Sequence, residues 1–389
     1  MEVKQIYTLI NSVSGEVLGK SDIVQEDLTG VVNLGTEVFN ANAVDNYVKS
    51  LVNHIGKVIF VNRPYAGKVP SVLMDAWEFG SVLEKISADI PEATENDTWD
   101  LTDGQTYSQD TFHKPTVTAK FFNSKVTFEV PLSITERQVK ESFSSAEQLN
   151  GFLSMIYSAV EKSMTIKADA LIMRTINNMV AETLKADKKA FGAASVDYAS
   201  ASTVRCVNLL KLYNENKGTT LTAAKAITDP GFIRFASYQM GLYADRMQTV
   251  STLFNVGAKE RFTPLDMLHT VLLSDFAKAA QAYLYSDTYN KEQVLLPNAE
   301  TVPSWQASGK NYDFASVSTI NVKSASGEAV NVSGVLGVMF DRDALGVCNL
   351  NRRVTTTYNA KAEFFNNYFK FDAGYFNDTN ENFVVFFVA

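Results

Sequence analysis

Side chains that could perform acid–base, nucleophilic or metal chemistry are few and scattered in this sequence of 389 residues. The histidines are His54, His113 and His269, and each is isolated in the sequence. The motifs HExxH, CxxC, GxSxG, GxxxxGK[ST] and GxGxxG do not occur. Catalysis needs groups that exchange protons, attack a substrate or hold a metal. The sequence therefore predicts no catalytic, cofactor-binding or metal-binding residue, and we expect the protein not to be an enzyme.

One group of carboxylates is compatible with an enzyme. Asp341-Arg342-Asp343 follows a predicted strand, where it could bind a metal or a phosphate. A turn with a local ion pair explains the same three residues. If the chain were an α/β enzyme with its site in 201–345, Asp229, Asp275 and Asp341 would be the residues to test.

Composition narrows the class of protein. The chain is 46% hydrophobic and 20% charged, which predicts an ordinary globular protein with room for two or three cores. The net charge of −8 argues against tight binding of nucleic-acid phosphates. No apolar run approaches the ~20 residues that span a bilayer, and the first residues do not resemble a secretory signal. Cys206 and Cys348 are expected to be buried, reduced thiols, with a disulfide as the alternative.

A long strand followed by a very long helix is the most informative pattern. Residues 116–132 alternate apolar and polar side chains, as in a half-covered strand, and Pro131 favours a sheet edge or a strand end. A short helix is expected from Thr135 to Phe143. A second helix is predicted from Ser145 to Leu184, with apolar residues at steps of three and four. Its span of roughly 55 Å far exceeds that of an average helix of ~12 residues.

A two-stranded ribbon is predicted before that helix. One strand covers Val82–Ile90 and the other is 116–132, with a polar loop between Pro91 and Pro115. A ribbon of this length is marginally stable alone in water, so it needs a partner surface. Three apolar residues near its tip either contact another subunit or pack back on their own ribbon: Trp99, Leu101 and Tyr107.

Residues 185–345 have the pattern of a compact α/β module. The predicted elements are a helix over 202–216, a turn at 229–231, a helix through Tyr243, a strand over 270–273, a helix from Ser274 and a strand over 334–340. The C-terminal 32 residues are rich in aromatics and predict two strands around a turn near 378–382. The segment 384–388 is apolar on both faces, which predicts a central strand. We expect it to pack beside the long helix and residues 58–61.

The order of these parts resembles a tailed-bacteriophage major capsid protein of the Hong Kong 97-like fold, closest to those of small short-tailed phages (podoviruses). The likeness rests on three segments in the family's order: YVKSLVNHIGKVIF within 45–61, the strand and SITERQVKESFSSAEQLNGFLSMIYSAVE within 117–176, and GVLGVMFDRDALGVC, FFNNYFKFDAGYF and NFVVFF within 334–388. Together they cover about a third of the chain.

The resemblance implies an α+β fold with four parts. These are an N-terminal arm (1–55), an extended β-ribbon loop (62–130), a peripheral domain with the long spine helix (56–61, 131–200 and 346–389) and an α/β axial domain (201–345). The loop tip with Trp99, Leu101 and Tyr107 would then reach over a neighbouring subunit. No Lys–Asn crosslink is expected.

The same resemblance implies a function. The chain would assemble with itself into hexamers and pentamers that form the icosahedral head around phage double-stranded DNA. A scaffolding protein and a portal protein would be partners, contact with the packaged DNA would be weak and non-specific, and no membrane would be involved. Assembly would take place in the host cytoplasm, and the product would be part of the virion. An encapsulin-type bacterial compartment is the alternative that shares the fold.

Overall fold

A computed structural model describes most of the chain from residue 69 onward. The described residues are 11, 14, 18, 19, 69–74, 83–107, 110–135, 146–187, 202–285, 296, 299–306, 312–324 and 327–389. The expected arm is outside them apart from four isolated positions, and so are the helix predicted near 45–55 and the strand near 57–61. The described part has the mixed α+β composition that the sequence predicts.

The chain divides into two compact units. The first comprises Met1–Tyr65, Glu129–Met164 and Val354–Phe369. The second comprises Ala66–Phe128, Thr165–Arg353 and Lys370–Ala389. Each unit is discontinuous in sequence, so each depends on contacts between distant segments. The arm, loop, peripheral and axial boundaries given above remain predictions.

Thirteen strands and six α-helices are present among the described residues. The strands are β1 (Leu73–Met74), β2 (Leu83–Ala88), β3 (Val117–Phe122), β4 (Lys125–Thr135), β5 (Cys206–Asn208), β6 (Leu268–Leu273), β7 (Ala299–Val302), β8 (Ile320–Lys323), β9 (Ala329–Val332), β10 (Val335–Asp341), β11 (Leu345–Asn359), β12 (Phe364–Asn377) and β13 (Phe383–Phe387). The helices are α1 (Ala146–Ala186), α2 (Leu209–Lys217), α3 (Ala223–Ala226), α4 (Pro230–Arg246), α5 (Ser274–Tyr285) and α6 (Phe314–Val317).

These strands form four sheets. A five-stranded sheet has the order β5-β13-β10-β6-β7, and a four-stranded sheet has the order β1-β11-β12-β4. The strands β2 and β3 form a two-stranded ribbon, and β8 and β9 form another. The predicted edge position of Pro131 is confirmed, because β4 is the last strand of its sheet. An edge strand tolerates proline, because it has a neighbouring strand on one side only.

The long helix is confirmed almost to its ends as α1. From Val160 onward its predicted apolar stripe is buried, as shown by Val160, Met164, Leu171, Ile172, Ile176 and Met179. Two threonines on the buried side donate their hydroxyls to the carbonyl one turn earlier, Thr175 to Leu171 and Thr183 to Met179, at 2.8 Å. Their polar groups are therefore satisfied inside the helix, so the stripe can be buried without an unpaired hydroxyl.

The strand β13 is confirmed as a central, fully buried strand. It pairs in parallel with β5 and antiparallel with β10. Its five side chains are buried, and the ring of Phe386 meets that of Tyr243 edge to face at 5.3 Å. A run that is apolar on both faces needs cover on both sides. Helices α2 and α4 contribute much of that cover, since their buried residues share one hydrophobic cluster with Val384 and Phe386.

The helix predicted over 202–216 is correct only in its second half. Cys206–Asn208 is a strand, and helix α2 begins at Leu209. Asn208 has an extended backbone and its side chain accepts the N–H of Lys211 at 3.1 Å, which caps the helix. The predicted C-terminal end of the helix is confirmed, because Gly218 adopts the left-handed conformation after Lys217. A buried position beside β13 therefore overrides the helical periodicity of the first residues.

The strand predicted over 116–132 is two strands. It breaks at 123–124, so that β3 pairs with β2 in the ribbon while β4 joins the four-stranded sheet. At the break, the carbonyl of Ser124 accepts the N–H of Tyr375 at 3.1 Å. The predicted alternation of β4 is confirmed by its burial pattern. Thr135 ends β4 instead of capping a short helix, and residues 136–143 are outside the described part.

Candidate inter-subunit site

The β2–β3 ribbon has apolar residues on both sides, with Leu83 and Phe122 on the less exposed side and Ile86 and Phe121 on the exposed side. Its six pairs run from Leu83 opposite Phe122 to Ala88 opposite Val117. Ile86 and Phe121 point outward, and Phe121 is 64% exposed, whereas Lys85 and Lys120 are less exposed and point inward. A ribbon lying on its own protein normally buries apolar residues and exposes lysines. The ribbon departs from that pattern at these four positions, so its outer face has apolar side chains in contact with water.

The ribbon ends in a loop with defined local structure. A 3₁₀ turn covers Asp97–Trp99, and Gln105 donates its N–H to the carbonyl of Thr102 at 3.3 Å. Gly104 has a φ of +81° in this turn, which suits a residue without a Cβ. Both turns lie in sequences typical of turns, Asn96-Asp97-Thr98 and Thr102-Asp103-Gly104.

The structure places the three predicted tip residues in the same loop with different surroundings. Trp99 is 99% exposed and Leu101 is 63% exposed. Tyr107 is also exposed, but its hydroxyl accepts the N–H of Thr102 at 3.1 Å, so it supports the turn. Phe112, 85% exposed, was missed in the sequence, although an aromatic residue in a polar loop was an available signal.

Two lysines that face each other across the ribbon share one carboxylate. Lys85 and Lys120 are directly opposed, an arrangement that is destabilising when no anion is near. Asp378, in the turn between β12 and β13, receives Lys85 at 3.1 Å on one oxygen and Lys120 at 2.8 Å on the other. Its side chain is buried, so the bridge is shielded from water. We call Lys85, Lys120, Asp378 and Glu381 the ribbon anchor.

The pKa shifts of Asp378 and Lys85 agree with their ion pairs in the anchor. Burial alone would raise the pKa of Asp378, but hydrogen bonds from Lys120 and the Asn380 N–H, with the charges of both lysines, hold that pKa below its usual value. Burial alone would lower the pKa of Lys85, but the hydrogen bond and charge of Glu381, with Asp378, raise it. Lys85 donates to Glu381 at 2.8 Å. Asp378 and Lys85 are thus held in their charged forms.

A second ion pair fixes the end of β2. Lys259 Nζ lies 3.0 Å from the nearer carboxylate oxygen of Asp89, and the Asp89 N–H reaches the carbonyl of Thr116 at 2.9 Å. Beyond this point both chain segments enter the exposed loop. The polar contacts therefore fix the base of the ribbon and leave its outer face and tip uncovered.

The carboxylates considered for an enzyme have structural roles. Asp229 caps helix α4 by accepting the N–H of Phe232 at 2.6 Å. Asp341 lies at the end of β10, where it accepts the hydroxyl of Thr263 at 2.7 Å and the N–H of Asp343 at 2.9 Å. Burial raises the pKa of Asp341, and these hydrogen bonds offset the rise only in part. The residues 341–344 form the turn that joins β10 to β11.

Other chemistry-bearing groups also serve the fold. Asp275 is in the first turn of helix α5, and burial raises its pKa. His269 Nε2 lies 3.1 Å from the Glu300 carboxylate on the neighbouring strand, and its ring stacks on Phe340. His113 is exposed and His54 is outside the described residues. In the part of the chain that the structure describes, no cluster of His, Cys, Asp and Glu could hold a metal ion.

The cysteines are free and buried, as the sequence predicts. Burial, together with the nearby Asp187 carboxylate, raises the pKa of Cys206 well above its ordinary value. Its thiol is therefore protonated and unreactive at neutral pH.

The whole chain is similar to a known protein family. It matches the Phi29-like phage major capsid proteins over residues 7–387. The chain belongs to this family. The match covers nearly every residue, so the predicted identity as a phage major capsid protein is confirmed, and the encapsulin and enzyme alternatives receive no support. No curated protein matches this capsid protein.

Solved structures show that the capsid protein shares its fold with phage capsids. A chain of the Staphylococcus phage Andhra capsid is 7% identical, with a TM-score of 0.54 over 86% of this chain and 87% of that one. A chain from the structure of the head fiber and inner core protein gp22 of native bacteriophage P68 is 8% identical, with a TM-score of 0.52 over 86% and 88%. At such low identity the likeness shows the mixed α+β fold alone.

Family membership assigns a structural role to this capsid protein and places it in the virion. The ribbon geometry agrees with that role, because its outward apolar face and exposed tip suit a contact surface. Among its described helices, none is both long enough and apolar enough to cross a bilayer.

Proposed function

We propose that this capsid protein builds the icosahedral head of a short-tailed phage, as hexamers and pentamers that enclose double-stranded DNA. The proposal adopts the Hong Kong 97-like plan: an arm (1–55), an extended loop (62–130), a peripheral domain with the spine helix α1 and an axial domain within 201–345. Family membership supports the role, and the long helix and projecting ribbon support the plan.

One observation carries the proposed use of the extended loop. The ribbon turns Ile86 and Phe121 toward solvent and its lysines toward its own protein, and the loop then exposes Trp99 and Leu101. Burying such residues against a second subunit removes apolar surface from water, at about 25 cal/mol for each Å². The loop tip with Trp99, Leu101 and Tyr107 is therefore the proposed contact with a neighbouring copy.

The proposed partners follow from the same role. The neighbouring copies are the principal partners, a scaffolding protein and a portal protein assist assembly in the host cytoplasm, and contact with packaged DNA is weak and non-specific. The net charge of −8 supports the last point, because a surface of this sign gains little from neutralising phosphates. No covalent crosslink between subunits is proposed.

The loop is tested by removing its apolar side chains. The double variant Trp99→Ala, Leu101→Ala is expected to fold normally and to lose assembly, measured as the fraction of chain in sedimenting particles and by electron microscopy. A variant in which a short Gly-Ser linker replaces residues 92–114 should behave alike. Tyr238→Ala is a matched control, since it removes an exposed aromatic residue from helix α4.

The outcomes distinguish the capsid role of the chain from the bridging role of its loop residues. If the unaltered chain never forms closed particles, even with its scaffolding protein, the proposed assembly function is wrong. If the chain assembles and both loop variants assemble equally well, the bridging role of the loop is wrong while the capsid role stands.

A further inference from the structure

Two dipeptides in this chain can undergo a spontaneous covalent reaction. The backbone nitrogen of a glycine can attack the side-chain carbonyl carbon of a preceding aspartate or asparagine, because glycine has no Cβ to hinder the approach. The sequence contains one Asp-Gly pair, at 103–104, and one Asn-Gly pair, at 150–151. The two pairs have different backbone environments, so the fold determines which of them can react.

The Asp-Gly pair is at the centre of an exposed turn. Residues 102–105, which we call the tip turn, are all exposed, and Gln105 donates its N–H to the carbonyl of Thr102 at 3.3 Å. Gly104 has a φ of +81°, and a Cβ built on it would meet no atom within 4 Å. Within the described ranges no acceptor receives the N–H of Gly104. The attacking nitrogen is therefore not held there by a competing hydrogen bond.

The Asn-Gly pair is inside a helix. Asn150 and Gly151 belong to α1, which begins at Ala146. In an α-helix the N–H of such a residue donates to the carbonyl four residues earlier, and the backbone dihedrals are fixed. A ring that joins a side chain to the next backbone nitrogen does not fit these dihedrals, so the helix would have to open before the ring could close. The fold therefore protects Asn150, although an amide reacts faster than a carboxylate in a disordered chain at neutral pH.

We propose that Asp103 isomerises spontaneously to isoaspartate in the free chain. The nitrogen of Gly104 forms a bond to Cγ of Asp103, and the carboxyl hydroxyl leaves with the amide proton as water, which gives a cyclic succinimide. Water then adds to the succinimide and breaks one of its ring C–N bonds. Cleavage at Cγ restores aspartate, and cleavage at the main-chain carbonyl carbon gives isoaspartate. The composition of the chain is unchanged, so no enzyme, oxidant or reductant is required.

Isoaspartate changes the geometry of the tip turn. Its main chain runs through Cβ and Cγ, so the path from the Thr102 carbonyl to the Gln105 N–H becomes one methylene longer. The hydroxyl of Tyr107 also accepts the Thr102 N–H at 3.1 Å, and the exposed Trp99 and Leu101 directly precede the turn. A longer turn cannot keep both hydrogen bonds in the same geometry. Ageing of the free chain therefore displaces the loop tip and lowers assembly, a consequence that rests on the proposed function.

Isotope-labelled water tests the reaction. The full-length chain is kept unassembled at low concentration in water enriched in the heavy isotope of oxygen, and samples are taken over time. Each opening of the succinimide places one heavy oxygen in residue 103. The samples are digested with trypsin in ordinary water, and the peptide 86–120 is fragmented by electron transfer, which also distinguishes isoaspartate from aspartate. We expect label and isoaspartate to accumulate together at Asp103.

Aspartates in the same loop are internal controls. Asp100 and Asp110 are exposed, but each is followed by a residue whose side chain hinders the attack. Both should stay unlabelled under the conditions that label Asp103. Because these residues share the peptide and the solvent with Asp103, a difference between them reports on the Asp-Gly pair and not on exposure alone.

Two variants identify the reacting atoms. Asp103→Glu keeps the charge of the loop, but its longer side chain closes a larger ring far more slowly, so labelling at this position should be lost. Gly104→Ala adds a Cβ beside the attacking nitrogen and should remove most of the label. Circular dichroism of both variants should match that of the unaltered chain. The proposal is overturned if Asp103 gains no more label than Asp100 and Asp110, or if either variant labels as fast as the unaltered chain.

Unfolding tests the part that the structure plays. In the folded chain Asp103 should react while Asn150 keeps its amide, which is measured by the mass of the peptide that contains residue 150. In urea the order should reverse, because α1 no longer protects the Asn-Gly pair. If Asn150 reacts before Asp103 in the folded chain, the protection that we infer from the helix is wrong.

Assembly of aged chains tests the consequence for the capsid. The fraction of chain in sedimenting particles should fall as isoaspartate accumulates, and particles should contain a lower fraction of isoaspartate than the unassembled pool. Aged Asp103→Glu should assemble like the same variant freshly prepared. If fresh unaltered chains do not assemble, the proposed function is wrong. If they assemble and isoaspartate-containing chains enter particles equally well, the proposed effect of isomerisation on assembly is wrong while the capsid role stands.

Discussion

The strand β13 and the loop between β2 and β3 use the same kinds of side chain in opposite ways. Phe386 and its neighbours on β13 are buried in the centre of a five-stranded sheet, whereas Trp99 and Phe112 of the loop are almost wholly in water. An aromatic residue thus stabilises the single chain in one region and is available to a second chain in the other. The comparison separates residues that are buried in the single chain from residues that the proposed assembly would bury.

The largest expected difference comes from removing one ring in each region. Phe386→Ala leaves a cavity beside Tyr243 and should lower the free energy of unfolding by about 3–5 kcal/mol. Phe112→Ala removes a ring that is already solvated, so it should leave this free energy nearly unchanged. Urea denaturation of the unassembled chain measures both. Equal losses would show that the loop ring is buried in the single chain.

A pair of glycines sharpens the comparison at the backbone. Gly334 and Gly104 both have positive φ, but a Cβ on Gly334 would lie 1.9 Å from the Val388 carbonyl oxygen while one on Gly104 would meet nothing. Gly104→Ala should cost about 1 kcal/mol from backbone strain alone. Gly334→Ala should cost about 2 kcal/mol more, since the core must also shift. Thermal unfolding of the two variants gives the difference, and a similar cost for both would contradict it.

The ribbon anchor connects the two regions, and its removal tests that connection. Asp378→Asn leaves Lys85 and Lys120 opposed without their shared anion, and should weaken the attachment of the ribbon by about 2 kcal/mol. Hydrogen exchange should accelerate at the β2–β3 amides and stay slow in β13. Asp103→Asn removes one exposed charge and is the control. Unchanged exchange in the ribbon would remove the anchoring role.

The smallest expected effect is a pH dependence of the same attachment. The lowered pKa of Asp378 means that its contribution is present above the unfolded value of ~3.9 and is lost as the pH falls through the folded value. The raised pKa of Lys85 means that its contribution is present below the unfolded value of ~10.4 and is lost at more alkaline pH. Ribbon protection, corrected for intrinsic exchange rates, should therefore decline below about pH 4. In Asp378→Asn this acid decline should be reduced.

Elements whose residues follow a regular apolar pattern could be predicted from the sequence. Helix α1 was predicted over 145–184 and runs from Ala146 to Ala186, because its apolar period persists over many turns. The central position of β13 followed from a run that is apolar on both faces. In both cases a local pattern carries all the necessary information.

The parts that depend on distant contacts could not be predicted in this way. Cys206–Asn208 continues a helical pattern and becomes a strand because β13 lies beside it. The ribbon anchor joins Lys85 and Lys120 to Asp378, which lies more than 250 positions later in the chain. That both lysines contact the same carboxylate follows only once the register of β2 and β3 is known. Trp99 could be predicted as a candidate contact residue at the loop tip, because an aromatic residue in a polar loop is visible from local composition alone.

The anchor also has a consequence for how this family diverges. Asp378 is the carboxylate that both opposed lysines contact, so a lineage that replaces it by a neutral residue removes their shared anion and leaves Glu381 as the carboxylate beside Lys85. Such a lineage should survive only when Lys85 or Lys120 is exchanged as well. Correlated substitution of these three positions among relatives would reveal the pairing of the two strands to a reader who had only their sequences.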